Sequence, residues 1–373
     1  MTTRIGNFWR RITDGIALHQ LWKHFKADAR FSYRLYSQEI DSRRMPGTGR
    51  VRHFYKMAWL FLWSVIDKLS PARRVLLLVA LFLLFANMQA SWPDSNGHLI
   101  NFQFDGAFWG GMLLLVLLTL EIADRVVMKR DLQIAKEIQA WLLPPGPPQV
   151  PGLQIAFATR PANTVAGDYY DVFPRSASNS PGGAYLITIA DVAGKSVPAA
   201  MLMATYQASL KTLAGIASSL TDLVGRMNNY ACGNSQNGRR FTTAFIAEYS
   251  PASRSLTYVN AGHNPPILRR QTGTVERWPA GGVPLGIKQD AVYESGGVTL
   301  ESGDWLVIFT DGVTEAENRA SEEYGEARLM VVLLANQQAS PSEMLKAIMS
   351  DLDRFVGDAP QHDDITLLLL RAS

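Results

Sequence analysis

Residues 184–215 read AYLITIADVAGKSVPAAMLMATYQASLKTLAG, and within this one passage the pattern changes from strand to helix. AYLITIADV is apolar and β-branched up to Asp191, the composition of a buried strand. VPAAMLMATYQASLKTLAG, with Pro198 in its first turn, reads as an amphipathic helix whose buried face is formed by Met201, Met203 and the neighbouring alanines. Asp191 is thereby set at a strand end, in the turn before a helix.

The same texture continues on both sides. QIAFATRP, RFTTAFIAEYS, SLTYVNAG, PILRRQTG, VTLESGDWLVIFTDG and DDITLLLLRA read as strands, and SLTDLVGRMNNYACG and SPSEMLKAIMSDLDRFVG as helices. Strand runs broken by pairs of helices, without strict alternation, predict an α+β fold with antiparallel sheets. SASNSPGG, residues 176–183, reads as a flexible hairpin loop.

Four more aspartates share the setting of Asp191: Asp168 in AGDYYDVF, Asp311 in VIFTDGVTE, and Asp363 and Asp364 in HDDITLLLL. Asp311 follows an apolar run and the last pair precedes one, so a folded core can gather all of them at one sheet edge. Carboxylates gathered in that way repel one another. Hard cations make such a cluster tolerable, and an all-oxygen set suits Mg²⁺ or Mn²⁺ rather than Zn²⁺ or copper.

With 373 residues, 47% of them hydrophobic and 18% charged, the chain has room for one large catalytic domain and something smaller. The lone Cys232 excludes an internal disulfide and a Cys-based zinc site, and fits a reducing cytoplasm. Residues 1–74 hold 15 Lys and Arg against 5 Asp and Glu, which leaves the remainder acidic. This basic cytoplasmic region precedes two uncharged runs, 75–93 and 106–120, the second extending to a span of 106–123 if Glu121 lies at an interface. No Lys or Arg lies between them, whereas PARR precedes the first and DRVVMKR follows the second, the charge pattern of a transmembrane hairpin with both termini in the cytoplasm. FYKMAWLFLWSVI, 54–66, reads either as a membrane-surface helix or as an ordinary amphipathic one. The charged first 30 residues exclude a signal peptide.

Beyond the hairpin, Leu120, Val127, Ile134 and Trp141 recur every seven residues, which predicts a helical linker over 124–150 able to pair as a short parallel coiled coil. LLPPGPPQVPG ends that helix and sets a domain boundary, with a catalytic domain over 151–373.

AKEIQAWLLPPGPPQVPG, TRPANTVAGDYYDVF, ADVAGKSVPAAMLMA, YVNAGHNPPILRR, GDWLVIFTDGVTEAEN, YGEARL and HDDITLLLL occur in an order that resembles the SpoIIE/RsbU branch of the PPM, or protein phosphatase 2C-like, metal-dependent serine/threonine phosphatases. The resemblance runs from about Ala135 to Arg371. It implies a four-layer α-β-β-α sandwich of two antiparallel sheets with flanking helices, here preceded by the two-helix transmembrane hairpin. It also implies two Mn²⁺ or Mg²⁺ ions, with Asp191 as the bridging carboxylate, the carbonyl of Val192 as a backbone ligand, Asp168 beside the second metal and Asp311 on the first. Asp363 is taken as the last ligand because Thr366 completes D-x-x-T, with Asp364 as the alternative. Asp168, Asp191, Asp311 and Asp363 would then carry the chemistry, hydrolysis of a phosphoserine or phosphothreonine ester by metal-activated water. The resemblance implies a bacterial signalling enzyme with a STAS-domain anti-sigma factor antagonist as substrate. The hairpin and its flanking charges predict a multi-pass inner-membrane location with the catalytic domain in the cytoplasm, and the seven-residue recurrence predicts a homodimer through the linker helix.

Competing readings are weaker. AGKS, 193–196, imitates the tail of a nucleotide-binding loop, but Ile189 stands where that loop needs glycine. Asp171 is a further acid of the GDYYD motif, and His263 in NAGHNPP invites a general-acid role. The basic N-terminus has the charge but no motif of a nucleic-acid binder, and anionic lipid accounts for it. The alternative from another class is a membrane-tethered regulatory module that binds a phosphoprotein without hydrolysing it.

Overall fold

Two compact units, Met1–Arg125 and Val126–Ser373, make up the computed structural model. It describes Ile66 and residues 69–93, 99–175, 183–235 and 238–373, so the expectations for residues 1–65 and for the loop at 176–182 lie outside the described residues.

In the first unit, helix α1 (Pro71–Phe85) is followed by strands β1 (Asn87–Pro93) and β2 (Leu99–Asp105) and then by the start of helix α2 (Gly106–Leu142), whose residues from Val126 on belong to the second unit. α1 has 15 residues, which at 1.5 Å each reach only about 22 Å. The continuous helical span expected over 75–93 is therefore corrected: the helix stops at Phe85, and β1 pairs antiparallel with β2 from Asn87↔Asp105 to Pro93↔Leu99. The cause is local polarity. NMQASWP carries no charge, yet it alternates polar and apolar residues as a strand does, and a search for uncharged runs does not detect that.

α2 has 37 residues, and its most apolar window has a mean hydropathy of 1.9 with 17% of it buried. Among the described residues it is the one helix long and apolar enough to cross a membrane. α1 and α2 approach closely: a Cβ on Gly106 would stand 1.9 Å from the carbonyl oxygen of Ala86, and one on Gly110 2.8 Å from that of Ala80. Small residues at such positions let helix backbones pack directly. Arg73 pairs with Glu121 at 3.2 Å and with Asp124 at 2.6 Å.

The second unit contains strands β3 (Leu153–Arg160), β4 (Tyr169–Arg175) and β5 (Ala184–Val192), helices α3 (Ser196–Ala214) and α4 (Leu220–Gly233), and strands β6 (Thr242–Ser250), β7 (Ser255–Ala261), β8 (Ile267–Arg269), β9 (Val275–Arg277), β10 (Gly296–Thr299) and β11 (Trp305–Phe309). Helices α5 (Asp311–Thr314), α6 (Gly325–Ala335) and α7 (Pro341–Val356) and strand β12 (Ile365–Ala372) complete it. The strands form two five-stranded antiparallel sheets, β10-β7-β6-β5-β4 and β3-β12-β11-β8-β9.

Period-two alternation builds the layers. Ile187 and Ile189 of β5, Leu306 and Ile308 of β11, and Leu368 and Leu370 of β12 fill the core between the sheets. Their neighbours on the opposite faces, Leu186 and Ala190, pack under α3 and α4 with Met203, Leu210 and Leu223. Trp305, Val307 and Phe309 pack under α6 and α7 with Leu329, Met344 and Ile348. The result is an α-β-β-α sandwich.

Three local expectations change. VTLESGDWLVIFTDG forms two strands in different sheets, β10 and β11, because the chain turns at Gly303, whose φ is +90°. YYDVFPR, inside an acidic motif, is a strand in its own right. Met203 is fully buried as expected, whereas Met201 lies 69% exposed on the other side of its helix.

Candidate active site

All five aspartates stand at strand ends of the two sheets. Asp191 is the penultimate residue of β5, opposite Thr243 of β6. Asp168 directly precedes β4, which pairs with β5. Asp311 opens the short α5 after β11, and Asp363 and Asp364 lead into β12, the neighbour of β11.

Asp168 is 2% exposed, and its Oδ2 accepts a hydrogen bond of 2.9 Å from the Thr310 hydroxyl. That hydroxyl in turn accepts the Thr366 N–H at 3.0 Å, and the Thr366 and Thr159 hydroxyls lie 2.9 Å apart. Burial first, and then the Asp191 charge, hold the Asp168 carboxyl well above the usual carboxylate range. Asp191 is pushed up to about 7, again by burial first and then by Asp311, Asp363 and Asp364, while Lys195 opposes the shift. Asp311 is raised by burial and by Asp363. These mutual shifts mark a cluster whose charges destabilise one another.

The adjacent Asp363 and Asp364 have different surroundings. Asp364 Oδ1 accepts from the Ala162 N–H at 2.7 Å and Oδ2 from the Gly167 N–H at 2.6 Å, so both of its oxygens tie the loop before β4 to β12. Asp363 is 43% exposed and faces the open side, where its Oδ2 lies 3.0 Å from Lys195 Nζ. The glycine of TDG is set by close approach: a Cβ on Gly312 would stand 2.0 Å from the carbonyl oxygen of Asp364. Val192 is buried, and its carbonyl oxygen would lie 3.1 Å from a Cβ on Gly167, beside Asp168.

Among the described residues, no group of three or more His, Cys, Asp and Glu side chains stands close enough together to hold a metal ion as it is placed. The donor chemistry nevertheless fits hard divalent cations. The carboxylates are buried or half-buried, repel one another, and present oxygen alone.

Two other polar residues are excluded from this cluster. Asp171 is buried with its Oδ2 2.8 Å from the Tyr169 hydroxyl and 2.6 Å from Lys211 of α3, which commits it to the helix side of β4. His263 is buried, its Nδ1 lies 3.0 Å from the Thr243 hydroxyl, and burial pushes its pKa down to about 4. It is neutral at physiological pH and holds no proton to donate as an imidazolium.

The sequence reading missed Gln139, Thr310 and Lys195 as contributors. Gln139, 7% exposed near the end of α2, donates from Nε2 to the Ala166 carbonyl at 2.7 Å and accepts the Ala166 N–H at 2.9 Å. Its only sequence signal was its place in AKEIQ, where a glutamine on a helix ordinarily reads as a solvated residue.

Residues 181–373 match the family model described as Stage II sporulation protein E (SpoIIE). The chain is 31% identical over 284 residues to "Phosphoserine phosphatase RsbU" of Bacillus subtilis (strain 168), covering 75% of this chain and 81% of that protein. It is 30% identical over 280 residues to "Protein IcfG" of Synechocystis sp., covering 68% of this chain but only 43% of that longer protein. Among solved structures, the SiaA-PP2C domain of Pseudomonas aeruginosa aligns with a TM-score of 0.57 at 20% identity, over 67% of this chain and 99% of that domain. At that identity the likeness speaks for the fold alone.

Proposed function

The chain belongs to the SpoIIE family of PP2C-like phosphatases, and from that premise we propose that it is a membrane-anchored, metal-dependent protein serine/threonine phosphatase. The observation that carries this reading is the meeting of Asp168, Asp191, Asp311 and Asp363 at strand ends of both sheets, with like-charge repulsion among them. In this reading Asp168, Asp191, the Val192 carbonyl, Asp311 and Asp363 would hold two divalent ions, with Asp191 as the carboxylate shared between them. Asp364, held by backbone amides, positions the Asp168 loop. Two Mn²⁺ or Mg²⁺ ions, when bound, supply a lowered water pKa and neutralise the phosphoryl oxygens. No side-chain nucleophile is needed.

The proposed substrate is a phosphoserine or phosphothreonine on a signalling protein, and the family resemblance supports a STAS-domain anti-sigma factor antagonist in that role. Anchoring rests on α2, whose apolar window is largely uncovered by protein, with α1 packed against it, and the Lys and Arg that flank the two apolar runs support a catalytic domain on the cytoplasmic side. Pairing of two chains rests on the exposed seam of α2, where Val127 is 58%, Ile134 44% and Trp141 81% exposed. The test is release of inorganic phosphate from a phosphorylated STAS-domain protein by the full chain in detergent. Release with Mn²⁺ or Mg²⁺ and none with a chelator supports the reading. Stable binding of the phosphoprotein without release would favour the regulatory module instead.

A further inference from the structure

Lys195 follows the Asp191 strand by three residues, in a loop with unusual backbone on both sides: Gly194 has φ +122° and Ser196 has φ +63°. The second value places a residue with a Cβ in the left-handed region, which L-residues other than Asn and Asp seldom occupy. Strain of this kind persists where the surroundings fix the chain for a purpose. Here it turns the lysine across to the β12 side of the site. Nζ donates to the His362 carbonyl at 2.6 Å and lies 3.0 Å from Asp363 Oδ2.

The side chain stays 55% exposed and lines a cavity of about 400 Å³ whose wall carries Arg160 and the acids Glu315, Glu317, Glu323, Asp353 and Asp363. An ammonium has three donors. The two contacts named leave one for the cavity. Arg160, the other cation named on this wall, is already paired with Asp353 at 2.6 Å.

A phosphoserine brings about two negative charges to a wall that carries five carboxylates, of which Asp353 is paired with Arg160, so a cation is needed there to receive it. We propose that Lys195 binds a phosphoryl oxygen of the substrate at the mouth of the carboxylate site, an inference that rests on the phosphatase reading above. A flexible point charge suits this task, because it can hold a tetrahedral anion without dictating its rotation. Lys195 thus acts in substrate binding, and Asp363 is its resting partner.

The test uses the full chain in detergent, loaded with Mn²⁺, with inorganic phosphate titrated by calorimetry and Mn²⁺ binding measured separately. Lys195→Ala is expected to weaken phosphate binding roughly tenfold to a hundredfold, the range of one charge-assisted hydrogen bond. Mn²⁺ affinity should hold or tighten, since a competing cation leaves Asp363, and Lys195→Arg should recover most of the phosphate affinity. Unchanged phosphate affinity in Lys195→Ala overturns the assignment, as does absence of phosphate binding by the Mn²⁺-loaded parent. Parallel loss of Mn²⁺ and phosphate affinity in both variants also overturns it, because it marks a merely structural ion pair. If the parent binds phosphate but hydrolyses no phosphoprotein, the phosphatase reading fails while calorimetry still decides on Lys195.

Discussion

Gln139 holds the backbone of Ala166 with both ends of its amide, donating to the carbonyl at 2.7 Å and accepting the N–H at 2.9 Å. Ala166 is two residues before Asp168, so the last turn of α2 is hydrogen-bonded to the loop that carries a candidate metal ligand. Gln139→Ala leaves two buried backbone groups without partners, at a cost of about 1–3 kcal/mol each. We expect it to lower turnover at least about tenfold and to raise the Mn²⁺ concentration needed for half-maximal activity. A titration of activity against Mn²⁺ checks this, and an unchanged midpoint would leave Gln139 as a packing residue.

The two neighbouring aspartates should separate cleanly. Asp364 accepts two backbone N–H groups, so Asp364→Ala should lower the melting temperature of the metal-free protein, by an unfolding cost of about 2–4 kcal/mol. Asp363→Ala should leave that temperature nearly unchanged, because its partner Lys195 is half-exposed, and should instead weaken Mn²⁺ binding. Calorimetric melting and Mn²⁺ titration of both variants distinguish them, and the opposite assignment of effects would make Asp364 the ligand.

Stability of the metal-free protein should depend on pH with an unusual sign. Asp191 is raised to about 7 in the folded state, above its ordinary value of 3.8. A raised acid binds its proton more tightly when folded, so its contribution is complete below about pH 4 and is lost as pH rises through 7. Melting in chelator should therefore weaken from pH 5 to pH 8, and Mn²⁺ should remove or reverse that trend. A melting temperature that climbs over this interval in chelator would contradict the electrostatic picture of the site.

Much of this was legible in the sequence, for identifiable reasons. Apolar and β-branched composition announced the strands of Ile187 and Ile189, of Leu306 and Ile308, and of Leu368 and Leu370, and Asp191, Asp311 and the pair Asp363 and Asp364 flanked them in the chain, so the acidic edge followed from the strand ends. SPSEMLKAIMSDLDRFVG read as a helix, and the structure adds that the Ser340 hydroxyl and backbone N–H both bond Glu343 at its start. What stayed hidden depends on long-range geometry. Nothing local tells that β10 and β11 part into different sheets, or that Gln139 reaches Ala166 across 27 residues. The first membrane run failed differently, since the absence of charge over 75–93 does not reveal that Asn87, Gln89 and Ser91 favour a hairpin.

The exposed seam of α2 carries a prediction about assembly. Val127→Asp with Ile134→Asp places charge where two helices would pair, and should weaken self-association of the full chain in detergent and reduce activity with it. Sedimentation and turnover measured over the same concentrations check both. Equal activity of the double variant and its parent, where the parent is dimeric, would reduce the helix to a tether.

The central claim is that the aspartates at the sheet ends hold the metal ions that hydrolyse a phosphoprotein. Its most direct measurement is phosphate release by the full chain and by Asp191→Asn and Asp311→Asn, each with saturating Mn²⁺ and with folding verified by circular dichroism. The account predicts release by the parent and a loss of at least about a hundredfold in each folded variant, more than is typical for residues that merely support a metal ligand. Turnover at the parental rate by either variant would contradict it.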